Sequence, residues 1–182
     1  MNKIAVQLAE GFEEIEAISI IDVLRRAGID VTVISISRQI EVTGAHAIKI
    51  IADQIFEKTN FKDFDMIVLP GGMPGALNLQ NHKGLQTQIL DFHKRGKLLG
   101  AICAAPMVFG NLGILKNETA TCYPGFEDQL KEAKVSEDSV IHSGNIITGK
   151  GAGVAIEFAL KIVELLKGEE LANELRVKMI AV

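Results

Sequence analysis

The sequence predicts an α/β fold, a mostly parallel sheet with helices on both faces. Two observations carry this. Short β-branched runs alternate with longer helical periods, the order from which crossover units are built. Two hairpin-like segments fall after such units, so the sheet is mixed at its margins. The 182 residues suffice for one full core and are short for two, so a single domain over residues 1–182 is expected.

The elements follow in order. KIAVQLA (Lys3–Ala9) reads as the first strand, and Glu13–Ala27 as a helix with an apolar stripe. DVTVISI (Asp30–Ile36) is the second strand, followed by a hairpin in EVTGAHAIKIIAD. MIVLP (Met66–Pro70) is a third strand, roughly Leu77–Arg95 a second helix, and KLLGAIC (Lys97–Cys103) a fourth strand. SVIHSGNIITGKG holds a second hairpin turning at Ser143-Gly144-Asn145. The last predicted helix, Gly153–Leu166, sets Ile156, Leu160, Val163 and Leu166 on one side and Phe158, Ile162 and Leu165 on another, with Glu157 and Lys161 as an i,i+4 pair.

Composition narrows the function. Hydrophobic residues make up 48% of the chain and charged residues 23%, which is globular rather than disordered or fibrous. A net charge of −4 gives no electrostatic reason for a nucleic-acid or anionic-membrane partner. The opening residues lack the apolar core of a secretory signal, and the uncharged stretch Leu98–Leu115 is broken by Pro106, Asn111 and three glycines. A cytoplasmic location without a membrane anchor is therefore expected. In a reducing compartment the two cysteines stay thiols.

Cys103 lies at the carboxyl end of a strand, where open α/β sheets bind ligands. Ala101-Ile102-Cys103-Ala104-Ala105 has the small residues that a sharp strand-to-helix elbow requires, and Pro106 suits the first helical turn. A thiolate there would gain from nearby amides and the helix dipole. A small core cysteine is the plainer alternative. LPGGMPGALN ends another strand the same way; Gly71 and Gly72 permit tight geometry, and an amide there, with that of Ala104, is placed for an oxyanion. Dinucleotide and phosphate-loop glycine patterns are absent from it.

Glu16 shares a stripe with Ile20, Val23, Leu24 and Ala27 at about 100° per residue. A carboxyl in such a site has a raised pKa and, protonated, can donate to a thiolate. A rim position open to water is the alternative. Ile15 and Ile18 form a second apolar patch suited to another subunit. His46, His82, His93 and His142 read as structural or surface residues, with no metal-ligand spacing, and Cys122 as a packed core thiol or a resolving partner for Cys103.

Together, AEGFEEIEAISIIDVLRRAG, VLPGGMPGALNL, GAICAAP and GAGVAIEFALKIVELLKG resemble the ThiJ/PfpI superfamily, closest to its parkinsonism-associated deglycase (DJ-one) branch. The resemblance covers essentially the whole chain. It implies a flavodoxin-like sandwich and a homodimer, with Cys103 as nucleophile or oxidation-sensitive thiol and Glu16 protonated against it. Gly72 and Ala104 would lend amides, with Gly71 and Tyr123 bordering the pocket. The implied chemistry uses no cofactor and no metal: Cys103 attacks a small reactive carbonyl, or a glycated amine or thiol, in deglycase or glyoxalase fashion. The rival implication is an oxidation-sensing stress protein or redox-regulated chaperone without turnover.

Two stretches depart from the pattern. Tyr123 precedes Pro124 where much of the branch has histidine, and Gly151-Ala152-Gly153-Val154 stands for Gly-Pro-Gly-Thr. The first puts an imidazole-dependent step in question, and the second removes a hydroxyl. The protease-like branch, with histidine directly after the cysteine, is disfavoured by Ala104. Amidotransferases are disfavoured because no His-x-Glu pair follows Cys103.

Overall fold

The computed structural model describes residues 2–181. The elements, in chain order, are β1 (Lys3–Leu8), α1 (Glu14–Arg26), β2 (Asp30–Ser35), β3 (Glu41–Thr43), β4 (Lys49–Ile51), β5 (Gln54–Ile55), β6 (Met66–Leu69), α2 (Gly75–Asn81), α3 (Lys83–Lys94), β7 (Leu98–Ile102), α4 (Pro106–Asn111), β8 (Thr119–Ala120), β9 (Lys134–Val135), β10 (Val140–Ser143), β11 (Ile146–Gly149), α5 (Ala155–Lys167) and α6 (Glu169–Lys178). Seven strands form the main sheet in the order β10-β11-β7-β6-β1-β2-β5. All neighbours are parallel except β10 and β11, the predicted second hairpin.

Strand alternation divides the core between the two faces. Ile4, Val6 and Leu8 of β1 pack with α1, α5 and α6, while Ala5 and Ala9 face the helices α2, α3 and α4. Both faces are covered, so the central strands read as continuous apolar runs rather than as alternating ones. The predicted α/β arrangement with helices on both faces is what the chain adopts. No described helix is long and apolar enough to cross a membrane.

Three local expectations are corrected. The helix expected over Leu77–Arg95 is two, because His82 is extended (φ −80°, ψ 100°) and its Nδ1 accepts the amide of Leu85 at 3.0 Å, capping α3. In α5, Ile156 is exposed, whereas Leu160 and Val163 are buried; a 3-10 turn at Ala152–Val154 precedes the helix and delays its start. Lys161 pairs with Glu164, not Glu157, at 2.8 Å.

The hairpin β3–β4 is antiparallel and separate from the main sheet. It is tied to the segment before α1: the amide of Gly11 donates to Thr43 O at 2.8 Å, and that of Ala45 to Phe12 O at 2.8 Å. This arrangement holds the first turn of α1 against the carboxyl ends of β1 and β6.

Candidate active site

Cys103 occupies the turn between β7 and α4 with φ of +63°, a left-handed conformation that costs a non-glycine residue about 1 kcal/mol or more. The turn is pinned on both sides. Its amide donates to Gly149 O at 2.9 Å, and its carbonyl accepts the Tyr123 amide at 2.8 Å. Ala104 and Ala105 behind it are buried, and Pro106 begins α4. The small residues of the elbow thus stand where larger ones would meet the core, and the thiol is left half-buried.

Glu16 is fully buried on the same stripe as Ile20, Val23 and Leu24. Glu13 caps α1 by accepting the Glu16 amide at 2.7 Å, which fixes the first turn and aims the Glu16 side chain inward. Glu16 Oε2 accepts the Gly71 amide at 2.7 Å. Oε1 is buried without a nitrogen or oxygen partner, and the Cys103 thiol is within hydrogen-bonding reach of the carboxyl. Gly71 is where these groups converge: a Cβ there would stand 2.7 Å from Cys103 Cβ and 2.8 Å from Glu16 Oε2. Gly72, at φ +87°, turns the backbone so that its own amide faces the sulfur.

Burial pushes the Glu16 carboxyl up to about 7, partly offset by hydrogen bonds from Cys103 and Gly71. Burial also pushes the Cys103 thiol up to about 12, reinforced by the charge of Glu16 and its hydrogen bond, while the amides of Ala104 and Gly72 pull the other way. The helix-terminus advantage expected from sequence is therefore outweighed. The contribution of the Glu16 charge exists only while that carboxyl is ionised. A proton on Glu16 removes it and supplies a donor to the sulfur, so the two groups share one proton's worth of chemistry.

The structure brings Cys103, Glu16, Gly71, Gly72 and Ala104 together. Tyr123 lies at the rim, half exposed, its ring against Gly151. Cys122 is buried with the core under α2–α4, whereas Cys103 packs toward the opposite core, so the two thiols belong to different faces of the sheet. That arrangement favours packing over a resolving role. No histidine is among the groups that shift Cys103 or Glu16.

Sequence reasoning missed Glu14. Its Oε1 accepts the His46 amide at 2.6 Å, and its Oε2 meets His46 Nδ1 at 2.8 Å, locking the β3–β4 hairpin to α1. Glu13, Glu14 and His46 bring ligand-type atoms within 4.8 Å of one another, a grouping the linear spacing does not announce. Glu14 already accepts from His46 and Ile48, so the grouping acts as a latch. The available signal was its place on the α1 stripe with Ala17 and Leu24.

Fold and site together define a class: a flavodoxin-like α/β protein with a strained cysteine elbow facing a buried carboxyl. The DJ-1/PfpI family matches residues 2–165, and the chain belongs to that family. It is 37% identical over 179 residues to Parkinson disease protein 7 homolog of Danio rerio, covering 96% of this chain and 95% of that protein. It is 41% identical over 172 residues to the glutathione-independent glyoxalase DJR-1.2 of Caenorhabditis elegans, covering 91% and 89%. Protein DJ-1 homolog B of Arabidopsis thaliana is 41% identical over 175 residues, or 95% of this chain; the chain spans only 40% of that relative's length. Among solved structures, oxidized DJ-1 of Toxoplasma gondii superposes with a TM-score of 0.95 at 38% identity, covering 99% of this chain and 98% of that one.

Proposed function

We propose that the protein is a cysteine-dependent enzyme for reactive carbonyls, of deglycase or glyoxalase type, converting methylglyoxal or its early amine and thiol adducts to lactate. The observation that carries this reading is the buried Glu16 carboxyl set against the half-exposed Cys103, with the Gly72 and Ala104 amides beside the sulfur. The relative named as a glutathione-independent glyoxalase supports the same direction.

The chemistry needs only water as co-reactant. The sulfur attacks the aldehyde carbon, forming a C–S bond as the carbonyl π pair moves to oxygen, which the two amides stabilise. Glu16 is the proposed proton carrier for that oxygen and for the proton that leaves the aldehyde carbon. The former aldehyde carbon is oxidised to a thioester while the neighbouring ketone is reduced to an alcohol. Water then cleaves the C–S bond, releasing the 2-hydroxy acid and restoring the thiol. Tyr123 places a phenol where the family pattern has an imidazole base, so in this proposal Glu16 carries the proton traffic. A homodimer over the exposed Ile15 and Ile18 belongs to the same proposal.

Lactate production from methylglyoxal under reducing conditions tests this, with wild type and Cys103→Ser compared. Turnover lost in the mutant is the expected result, and turnover retained overturns the assignment of Cys103. A second reading has one observation in its favour, the oxidized state of the Toxoplasma neighbour: peroxide would take Cys103 to a sulfinate held by Glu16, in a sensor or chaperone. Absence of turnover in the wild type, with a two-oxygen mass gain at Cys103 after peroxide, would favour it.

A further inference from the structure

Beside the elbow the surface opens into a cavity of about 330 Å³ between the Tyr123-Pro124 turn and the segment 150–154. Backbone bonds fix both walls relative to Cys103. Its carbonyl accepts the amide of Tyr123, on one wall, and its amide donates to Gly149 O, just before the other. The Tyr123 ring lies over Gly151, where an added Cβ would stand 3.3 Å from Cδ2.

Both departures from the family pattern fall in this one cavity. Tyr123 and Val154 line it with a phenol ring and an isopropyl group where the pattern would place an imidazole and a hydroxyl, and Ala152 adds a methyl where the pattern has proline. Lys150 is its charged lining residue, and that ammonium is held by Glu137, 2.7 Å from Oε2 and 3.0 Å from the carbonyl oxygen. The remaining wall is apolar and suits an apolar group rather than a second charge.

We infer that this cavity is a subsite for the substituent of the carbonyl substrate, selecting 2-oxoaldehydes with a bulky apolar group, and that Tyr123 is its specificity-determining residue. The inference rests on the cysteine–carbonyl reading above. The two backbone bonds set the cavity walls beside the residue that carries the sulfur, and in this inference the substituent of a carbon bonded to that sulfur enters the cavity against the Tyr123 ring. One methylene in an apolar pocket is worth roughly 10–200-fold in discrimination. A phenyl group in place of methyl should then gain at least about tenfold.

Two readouts separate this inference from the enzyme reading. The first is protection of Cys103 from iodoacetamide by phenylglyoxal and by methylglyoxal, each corrected for its reaction with a free model thiol. The second is kcat/KM for the same two compounds, with mandelate and lactate as products. Phenylglyoxal should protect, and turn over, at least about tenfold better. In Tyr123→Ala that preference should collapse, mainly through KM, and in Val154→Thr it should shrink. Equal protection by both compounds, or a preference untouched in both variants, overturns the subsite. Preferential protection without turnover keeps the subsite and removes the hydrolytic reading; turnover without preference does the reverse.

Discussion

At Glu16 a single side chain sets the pH response of the site. Its carboxyl ordinarily titrates at 4.5 and in the folded protein near 7, because burial penalises the charge. The folded state therefore holds a proton that the unfolded chain has released across that window. Stability is greatest below the window and falls as pH rises through it, by up to about 3 kcal/mol at about 1.36 kcal/mol per unit. Glu16→Gln, which keeps the shape and cannot ionise, should flatten this dependence. Urea midpoints from about pH 5 to about pH 8 measure it. A variant that loses stability as steeply as the wild type would show that Glu16 is not the titrating group. The position was legible in sequence as a carboxylate on an apolar stripe. Its contact with the Gly71 amide was not, because that bond joins residues 55 apart in the chain.

Among the elements, the β3–β4 hairpin has little core of its own, Val42 being the one buried residue of its two strands, and it is latched by Glu14. Burial alone would raise the Glu14 carboxyl, but the hydrogen bonds from the His46 ring, the His46 and Ile48 amides and its own backbone outweigh it and leave the group below its ordinary value. The exposed His46 imidazole is raised in turn by its bond to Glu14. The latch is thus complete while Glu14 is ionised and His46 protonated. It weakens as pH rises through the His46 titration, and again as pH falls through that of Glu14. Glu14→Ala should cost about 2 kcal/mol, since it leaves charge-assisted bonds unmade, and should speed amide exchange in residues 41–51 above all others. Exchange that rises uniformly across the sheet would contradict a local latch.

The same scale shows where sequence reading stops. The strands β1, β2, β6 and β7, the two hairpins and α1 were legible because their periods are strong and their ends carry turn or capping residues, whereas the two-residue strands β5, β8 and β9 and the helix α6 were not read from the sequence. The break at His82 was not, since it arises from a side-chain cap and from Phe56, whose ring packs on His82 at 4.4 Å from outside the helix. The Ile156 side was misjudged for a related reason. A helical wheel identifies apolar faces but not how much sheet lies beneath each. At Cys103 the elbow was legible from its small neighbours, whereas the balance of influences on the thiol depends on burial and on Glu16, neither of which is local in sequence.

At the scale of the whole molecule, two cores back to back account for most buried apolar side chains, and a group of exposed isoleucines gathers over α1 and the β3–β4 hairpin. Ile15 is 59% exposed and Ile18 46%, and Ile48 and Ile51 of the neighbouring hairpin are 52% and 61% exposed. A cleft between helix and hairpin joins them into one face, with Ile18, Ile21, Ile50 and Ile51 in its lining beside the charged Asp22, Arg25 and Asp53. The proposed homodimer would cover it. Ile18→Lys should then sediment as a 19.7 kDa monomer at concentrations where the wild type sediments at twice that mass. Identical sedimentation of the two proteins would exclude this face as the interface.

The first turn of α1 alternates its allegiances residue by residue: Glu14 to the hairpin, Ile15 to the outer surface, Glu16 to the sulfur. A partner that packs on Ile15 therefore grips the backbone that carries Glu16, the proposed proton donor. By reciprocity, whatever free energy assembly lends to the ionisation of Cys103, that ionisation must return to assembly. Dilution to monomer should shift the pKa read from the pH profile of thiol alkylation, and the dissociation constant of the unmodified protein should change across that pKa by the same factor.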